Sequence, residues 1–373
     1  SARRWRGAFR RRTLVSRLDL LRRAATIMGA LSAMLVACAA QTDANDAAGA
    51  RASTQAGSTP SEWTASGASV GTGIGGRRGT PASSDVQATG GSGCSSSNAP
   101  TVAATLGTYQ MSEISGLAAS RAHPGVLYAE ADSGGAPEIA AYSDSGEFLG
   151  AIFLEGAVNV DWEDVAIGVE PESELADYIY IADTGDNNAR DGTGARPSIQ
   201  IYRTREPDPA QLTVESALST TWEVANYQYP NGANDSEALF VDPQSGNPYL
   251  FTKTNDGRCD LYGAPLAAFG QSESWTLEWF AGFSVGIPYE SSAQVTAADI
   301  APGGDRILLR TYTSLFLYER KGDWQATFTA PTLELQAPTE PQGEAITFNA
   351  DASAWFSGSE QSSTIYRGSV TCD

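Results

Sequence analysis

The sequence predicts an all-β domain built from similar small sheets set in a ring. Three observations predict it. Beyond residue 100 the chain is a succession of short apolar runs separated by Gly, Pro, Asp and Asn, with almost nothing at helical period. One pattern recurs five times: SEISGLAAS…GVLYAEADSGG, WEDVAIG…YIYIADTGDN, SEALFVDPQSGNPYLFTKTND, VTAADIAPGGDRILLRTYTS and GEAITFNADASAWFSGSEQ. Each recurrence is followed by a tyrosine-bearing strand, such as SIQIYRTRE or STIYRGS. Antiparallel blades repeating every 45 to 75 residues describe a single five-bladed β-propeller. A six-bladed ring, with one degenerate blade in 206–232 or 272–292, is the alternative.

Taken in order, the elements begin with an arginine-rich opening, nine arginines before residue 24, and an apolar run over residues 24 to 38. Fifteen apolar residues are short for a membrane span, and the basic flank suits a secretory signal. A start near Leu14 or Val15 leaves a signal of ordinary length. The run ends in Leu35-Val36-Ala37-Cys38, which resembles the lipobox of bacterial lipoproteins. That resemblance implies that Cys38 carries diacylglycerol and becomes the new N-terminus, anchoring the chain to a membrane of the bacterial cell envelope. Ala39, which is not Asp, points to outer-membrane sorting. The competing reading is an ordinary signal peptide cut near Ala40.

Residues 39–99 are rich in Ala, Gly, Ser and Thr and carry no aliphatic periodicity, so burial cannot offset their ordering entropy. They read as a disordered tether with a reach of roughly 40 Å. Residues 100–373 form the propeller. Its last unit stops after three strands, whereas TVAATLGTYQ precedes the first unit as an orphan strand. Ring closure follows, with the N-terminal strand completing the last blade. Cys94, Cys259 and Cys372 allow one bridge and one free thiol. Closure of the ring brings Cys372 near Cys94 and favours that pair.

Beyond Cys38 only fifteen Lys or Arg stand against forty-three Asp or Glu. This excess repels nucleic acid, which is excluded as a partner, and favours cations. In a propeller the starts of the first strands and the ends of the second strands meet at one mouth of the central channel. Aligning the repeats puts Glu113, Glu163, Glu237, Thr296 and Glu344 at one ring position. The second-strand ends add Asp132, Asp183, Asp186, Asn255, Asp256 and Glu360, with the cations Lys253 and Arg310 on the same face.

Carboxylates crowded round a narrow channel repel one another and need a counter-charge. Ca²⁺ held by Glu113, Glu163, Glu237 and Glu344 is one answer, since it takes oxygen ligands alone. A structural network through Lys253 and Arg310 is the other. Trp162, Asp183, Asp186 and Asn255 are the candidate ligand-binding residues, Trp162 by stacking. Four other tryptophans, Trp222, Trp275, Trp279 and Trp324, are assigned to outer strands. Nucleophilic triads are excluded, because the single histidine, His123, falls in a turn on the opposite face. Any catalysis runs through Glu163 as general base, with Lys253 or Arg310 stabilising charge.

The set DWEDVA, SEAL, VTAAD with RTY, and QGEAI resembles a group of secreted bacterial propeller proteins. It is more distantly similar to esterase-like phytase propellers and to gluconolactonase-type calcium propellers, over residues 107 to 373. The latter hold calcium with a Glu, an Asn and an Asp at the channel. Two functions stay open: a binding or scaffold module holding a cation or small ligand, and a metal-dependent hydrolase of phosphate esters or lactones.

Overall fold

The computed structural model describes residues 93–96, 98–107, 113–169, 177–193 and 195–372. The signal peptide, Cys38 and nearly all of the tether lie outside the described residues. Two short strands come first, β1 (Cys94–Ser95) and β2 (Thr101–Thr105). The first blade holds β3 (Ile114–Ala119), β4 (Val126–Ala131), β5 (Glu138–Ser143) and β6 (Phe148–Phe153). The second holds β7 (Trp162–Val169), β8 (Asp177–Asp183) and β9 (Ile199–Arg205), with helix α1 (Asn187–Asp191) between the last two. Next comes β10 (Leu218–Ser219), which pairs back onto β6, and then β11 (Trp222–Gln228), which completes the second blade.

The third blade is β12 (Ser236–Val241), β13 (Pro248–Thr252), β14 (Arg258–Gly263) and, after β15 (Ser274–Thr276), β16 (Glu278–Ser284). The fourth is β17 (Val295–Ile300), β18 (Arg306–Thr311), β19 (Leu315–Glu319) and, after helix α2 (Trp324–Thr327), β20 (Leu333–Leu335). The fifth is β21 (Gln342–Phe348), β22 (Ala354–Glu360) and β23 (Ser362–Ser369), before a last short strand, β24 (Thr371–Cys372).

These sheets form a five-bladed propeller. The innermost strands touch in the cyclic order β3, β7, β12, β17, β21 and back to β3. The segments 206–232 and 272–292 do not hide a sixth blade; they supply outer strands, β15 pairing parallel to β11 just as β10 pairs to β6. Closure is as the repeat count requires: β2 pairs antiparallel with β23 and supplies the fourth strand of the fifth blade. Beside it β1 pairs with β24, and a disulfide joins Cys94 to Cys372. Cys259 is buried as a free thiol.

Each blade is packed on both faces, so its strands alternate between two cores rather than between core and water. In β4, Val126 and Tyr128 pack towards the second blade, whereas Leu127 and Ala129 pack towards the fifth. Between the third and fourth blades the core is aromatic. Phe240 stacks on Tyr249 with ring centres 5.2 Å apart, and Phe283 stacks on Phe328 at 4.9 Å. Trp324 joins this group from α2 rather than from an outer strand, its ring 5.0 Å from Tyr249. Burial of such side chains supplies roughly 1.5–3 kcal/mol each.

Every inner strand also carries a register shift against its partner at one equivalent place, where an extra residue is accommodated. The extra residues are Ser115, Glu163, Glu237, Thr296 and Glu344. The next position inward is occupied by Gly116, Asp164, Ala238, Ala297 and Ala345. Four small residues thus leave room for one carboxylate, Asp164. Its Oδ2 accepts from the Leu239 N–H at 2.8 Å and the Ala298 N–H at 3.3 Å, and its Oδ1 accepts from the Val165 N–H at 2.9 Å. One side chain of the second blade therefore holds the inner strands of the third and fourth. A second staple is Asp299, which accepts from the Phe348 N–H at 2.8 Å and the Thr347 hydroxyl at 2.9 Å.

Asp164→Ala leaves three buried amides without an acceptor and is expected to lower the unfolding free energy by about 3 kcal/mol. Urea denaturation followed by tryptophan fluorescence measures this; a variant as stable as the parent removes the staple from the account.

Candidate metal centre at the channel mouth

The strand starts and ends converge as the repeat pattern requires, but in two tiers. The backbone defines them. The N–H of Asp132 donates to the Glu113 carbonyl at 3.1 Å, Thr184 to Asp161 at 3.1 Å, and Lys253 to Asp235 at 2.9 Å. Glu113, Asp161 and Asp235 are therefore equivalent and form the outer tier. Glu163, Glu237 and Glu344 form the inner tier with Thr296 and Ser115. Glu113 does not share the ring position of the other glutamates: it lies two residues earlier, is exposed, and Ser115 takes the place assigned to it.

What the mouth brings together is a carboxylate cluster centred on Glu163. Oxygens of Asp132, Asp161 and Glu163 lie within 4.8 Å of one another, and so do oxygens of Glu163, Asp235 and Glu237. Glu163 is 6% exposed and accepts no hydrogen bond from a described residue. Burial pushes its carboxyl well above the usual range, and Glu237, Asp132 and Asp161 push the same way against Lys253. Burial, then Asp132 and Asp235, raises Asp161 to about 6. Gly185 is what lets the pair approach the β8–β9 loop, because a Cβ there would fall 1.9 Å from Glu163 Oε1 and 2.5 Å from Asp161 Oδ2.

Lys253 is the one ammonium at this level among the described residues. It pairs with Glu237 and donates to the Tyr312 hydroxyl at 2.6 Å, lying 4.6 Å from the centre of that ring. Burial alone would lower its pKa, but Glu237 and Glu344 more than offset this and keep it charged. Glu344 accepts from the Gln342 amide at 2.9 Å through Oε1, while its buried Oε2 has no partner among the described residues. Burial raises Glu344 to about 7, with Lys253 opposing. Glu360, half-buried beside Asp132, is raised to about 6 by burial first.

Other candidates are placed elsewhere. Arg310 lies two residues deeper along its strand than Lys253, fully buried, where it bonds Ser357 and pairs with Glu340 at 2.5 Å. Gly343 makes that possible, since a Cβ there would collide with the guanidinium at 1.5 Å. Trp162 is 0% exposed, packed with Val165, Ile167 and Tyr202, so it offers no face for stacking at the mouth. The strand turns Trp162 into the inter-blade core while the extra residue Glu163 is thrown into the channel.

Asp183 accepts from the Asp161 N–H at 3.1 Å and pairs with Arg196 at 2.8 Å. Asp186 caps α1 through the Ala189 N–H at 3.1 Å and accepts from the Arg196 N–H at 2.6 Å. Both are thus satisfied by backbone amides and, for Asp183, by Arg196. Asn255 is exposed at the rim, its side-chain oxygen accepting from Gln294 at 2.8 Å. His123 sits in the β3–β4 turn, remote in the fold from the acids, with its N–H on the Ser120 hydroxyl at 2.7 Å.

Three participants escaped the repeat alignment. Asp161 and Asp235 have a visible signal, the spacing Asp161-x-Glu163 repeated as Asp235-x-Glu237. Glu130 has none, being one acid within the apolar run VLYAEA. It is fully buried and no donor meets either of its oxygens at hydrogen-bond geometry. Burial, then Asp132, raises it to about 8, with the nearby Gly116 amide opposing.

The fold and this mouth define a five-bladed propeller with a carboxylate-lined channel entrance. No family model matches the chain, and no curated protein matches it.

Two outcomes follow from these charges. A carboxyl whose folded pKa is raised binds its proton more tightly when folded, so its stabilisation is full below the unfolded value and is lost as pH climbs through the folded one. With Asp161 and Glu360 near 6, Glu344 near 7 and Glu130 near 8, the melting temperature in chelator is expected to fall from about pH 5 to about pH 8. A rise over that window contradicts the assignment. Lys253→Met strands Glu237 as a buried charge and is expected to cost about 3–5 kcal/mol in chemical denaturation, most of it recovered in Lys253→Met/Glu237→Leu.

Proposed function

We propose that this chain is a lipid-anchored propeller of a bacterial cell envelope whose acidic mouth binds a hard divalent cation, of which Ca²⁺ fits best. The observation that carries the reading is Glu163, a buried carboxylate without a hydrogen bond among the described residues and shared by two triplets of acidic oxygens. Calcium binds oxygens at about 2.4 Å, so opposite ligands lie about 4.8 Å apart, and all-carboxylate donors suit it. The oxygens of each triplet lie within 4.8 Å of one another, close enough to share one such ion. Asp132, Asp161, Glu163, Asp235 and Glu237 would supply the ligands, and a bound cation would replace the protons that burial otherwise holds on them.

Binding, rather than hydrolysis of phosphate esters or lactones, is favoured by the state of the cations. Lys253 is committed to Glu237 and Arg310 to Glu340, so neither is left to stabilise charge developing on a substrate. The lipobox-like Leu35-Val36-Ala37-Cys38 supports display from a membrane through a lipid on Cys38, with residues 39–99 as the tether.

Calcium titrated into the chelator-treated chain is expected to bind with release of protons and to raise the melting temperature. At a calcium concentration about a hundredfold above Kd the gain is about 2.7 kcal/mol. Glu163→Gln is expected to weaken binding by at least about tenfold, since it removes the charge both triplets share. Calorimetry and elemental analysis decide: a chain that carries no metal and whose melting ignores both calcium and chelator is not a cation-binding module.

A further inference from the structure

Beside the carboxylate cluster, and sharing Asp235 and Lys253 with it, opens a cavity of about 420 Å³. Its remaining polar lining comes chiefly from Arg190, Asn234, Asn255 and Asp256, and Tyr289 stands at its edge. We propose that this cavity is a subsite for a neutral polyhydroxylated ligand, a monosaccharide or sugar terminus, with Tyr289 as the platform for its C–H face. The inference deepens the reading of the mouth as a binding site and rests on it.

Charge selects the class. Both signs line the cavity; Lys253 is paired with Glu237 and Asp235 belongs to the carboxylate cluster, so what remains for a ligand, Arg190 with Asp256, offers no net sign to recruit an anion or a cation. Its hydrogen-bonding groups instead alternate. Asn234 spends its amide hydrogens on Asn231 at 3.2 Å and Gly232 at 3.0 Å, which leaves its carbonyl oxygen as an acceptor. Asn255 has its oxygen occupied by Gln294, which leaves its amide hydrogens as donors. Asp235 Oδ2 is buried and has no hydrogen-bond donor, with Arg190 3.5 Å away as an ion-pair partner. A hydroxyl both donates and accepts, so a ligand with several hydroxyls on one edge satisfies such a set.

Tyr289 supplies the apolar counterpart. Its ring is 80% exposed, although large aromatics normally seek burial. Its backbone is left-handed, φ +66°, a conformation that bulky residues rarely adopt. The strain is held by the Tyr289 N–H on the Asn255 carbonyl at 2.6 Å and the Glu290 N–H on Ile287 at 3.0 Å. No ring contact of Tyr289 occurs among the described residues, so the exposed ring beside hydroxyl-complementary groups is open to a ligand with one C–H face and one hydroxyl edge.

The test uses the full chain saturated with calcium and saturation-transfer NMR with D-glucose, D-galactose, D-mannose, N-acetyl-D-glucosamine and choline as probes. Saturation is expected on the ring protons of at least one sugar, retained in Tyr289→Phe and weakened about tenfold in Tyr289→Gly. Glycine adopts left-handed backbone freely, so Tyr289→Gly should melt no lower than the parent and bind calcium as before. Saturation of no sugar, of choline alone, or of a sugar equally in parent and Tyr289→Gly overturns the inference. Calcium binding with no sugar signal overturns it and leaves the cation reading intact. A Tyr289-dependent sugar signal in a chain that binds no calcium supports it and removes the cation reading instead.

Discussion

Closing five sheets into a ring brings inner strands together from blades far apart in sequence, and Asp164 is the group that makes this closure specific. Its carboxylate reaches the amides of Leu239 and Ala298, on two other blades, in a space that Gly116, Ala238, Ala297 and Ala345 keep clear. A buried carboxylate is costly when isolated and tolerable when amides surround it. Burial drives Asp164 up while the Leu239, Ala298 and Val165 amides pull it down, so the side chain is held by the same bonds that hold the strands.

That balance separates the acids of the channel into two kinds. Asp164, Asp183, Asp186 and Asp299 each accept backbone amides, and Asp183 also has Arg196. They are internally satisfied and explain themselves as architecture. Glu163 and Asp161 converge with Asp132, which among the described residues accepts only the Ser133 N–H, and Lys253 is taken up by Glu237. The negative charge that remains has no counterpart within the described chain, which is why the mouth reads as a place for something positive. The two kinds lie within a few residues of each other, Glu163 beside Asp164, because the extra residue in each inner strand reverses which side chain enters the channel.

The cavity beside the mouth extends the same logic to a region where charge is balanced. There the informative groups are half-used amides and an aromatic side chain held in an unfavourable backbone conformation. Such strain persists only where the surroundings enforce it. The rim therefore combines an acidic centre with a hydroxyl-matching flank, the first built on loops of the first three blades and the second on loops of the second and third.

The sequence by itself pointed to a ring of similar sheets closed by an N-terminal strand, and local patterning suffices for that; five blades rather than six was decided by the structure, in which 206–232 and 272–292 supply outer strands. It also marked one face as acidic, since strand starts and ends recur at readable positions. Which acids meet was decided only by tertiary structure. A single extra residue shifts pairing by one and exchanges the two faces of a strand, so Trp162 went to the core and Glu163 to the channel, whereas Glu113 precedes the extra residue of its own strand and falls in the outer tier. Glu130 and Glu340 were invisible for the same reason: an isolated acid in an apolar run, or in the loop before β21, acquires its role only from the acids gathered around it or the arginine beside it. Periodicity is local, whereas the depth of a carboxylate and the identity of its partner are properties of the closed ring.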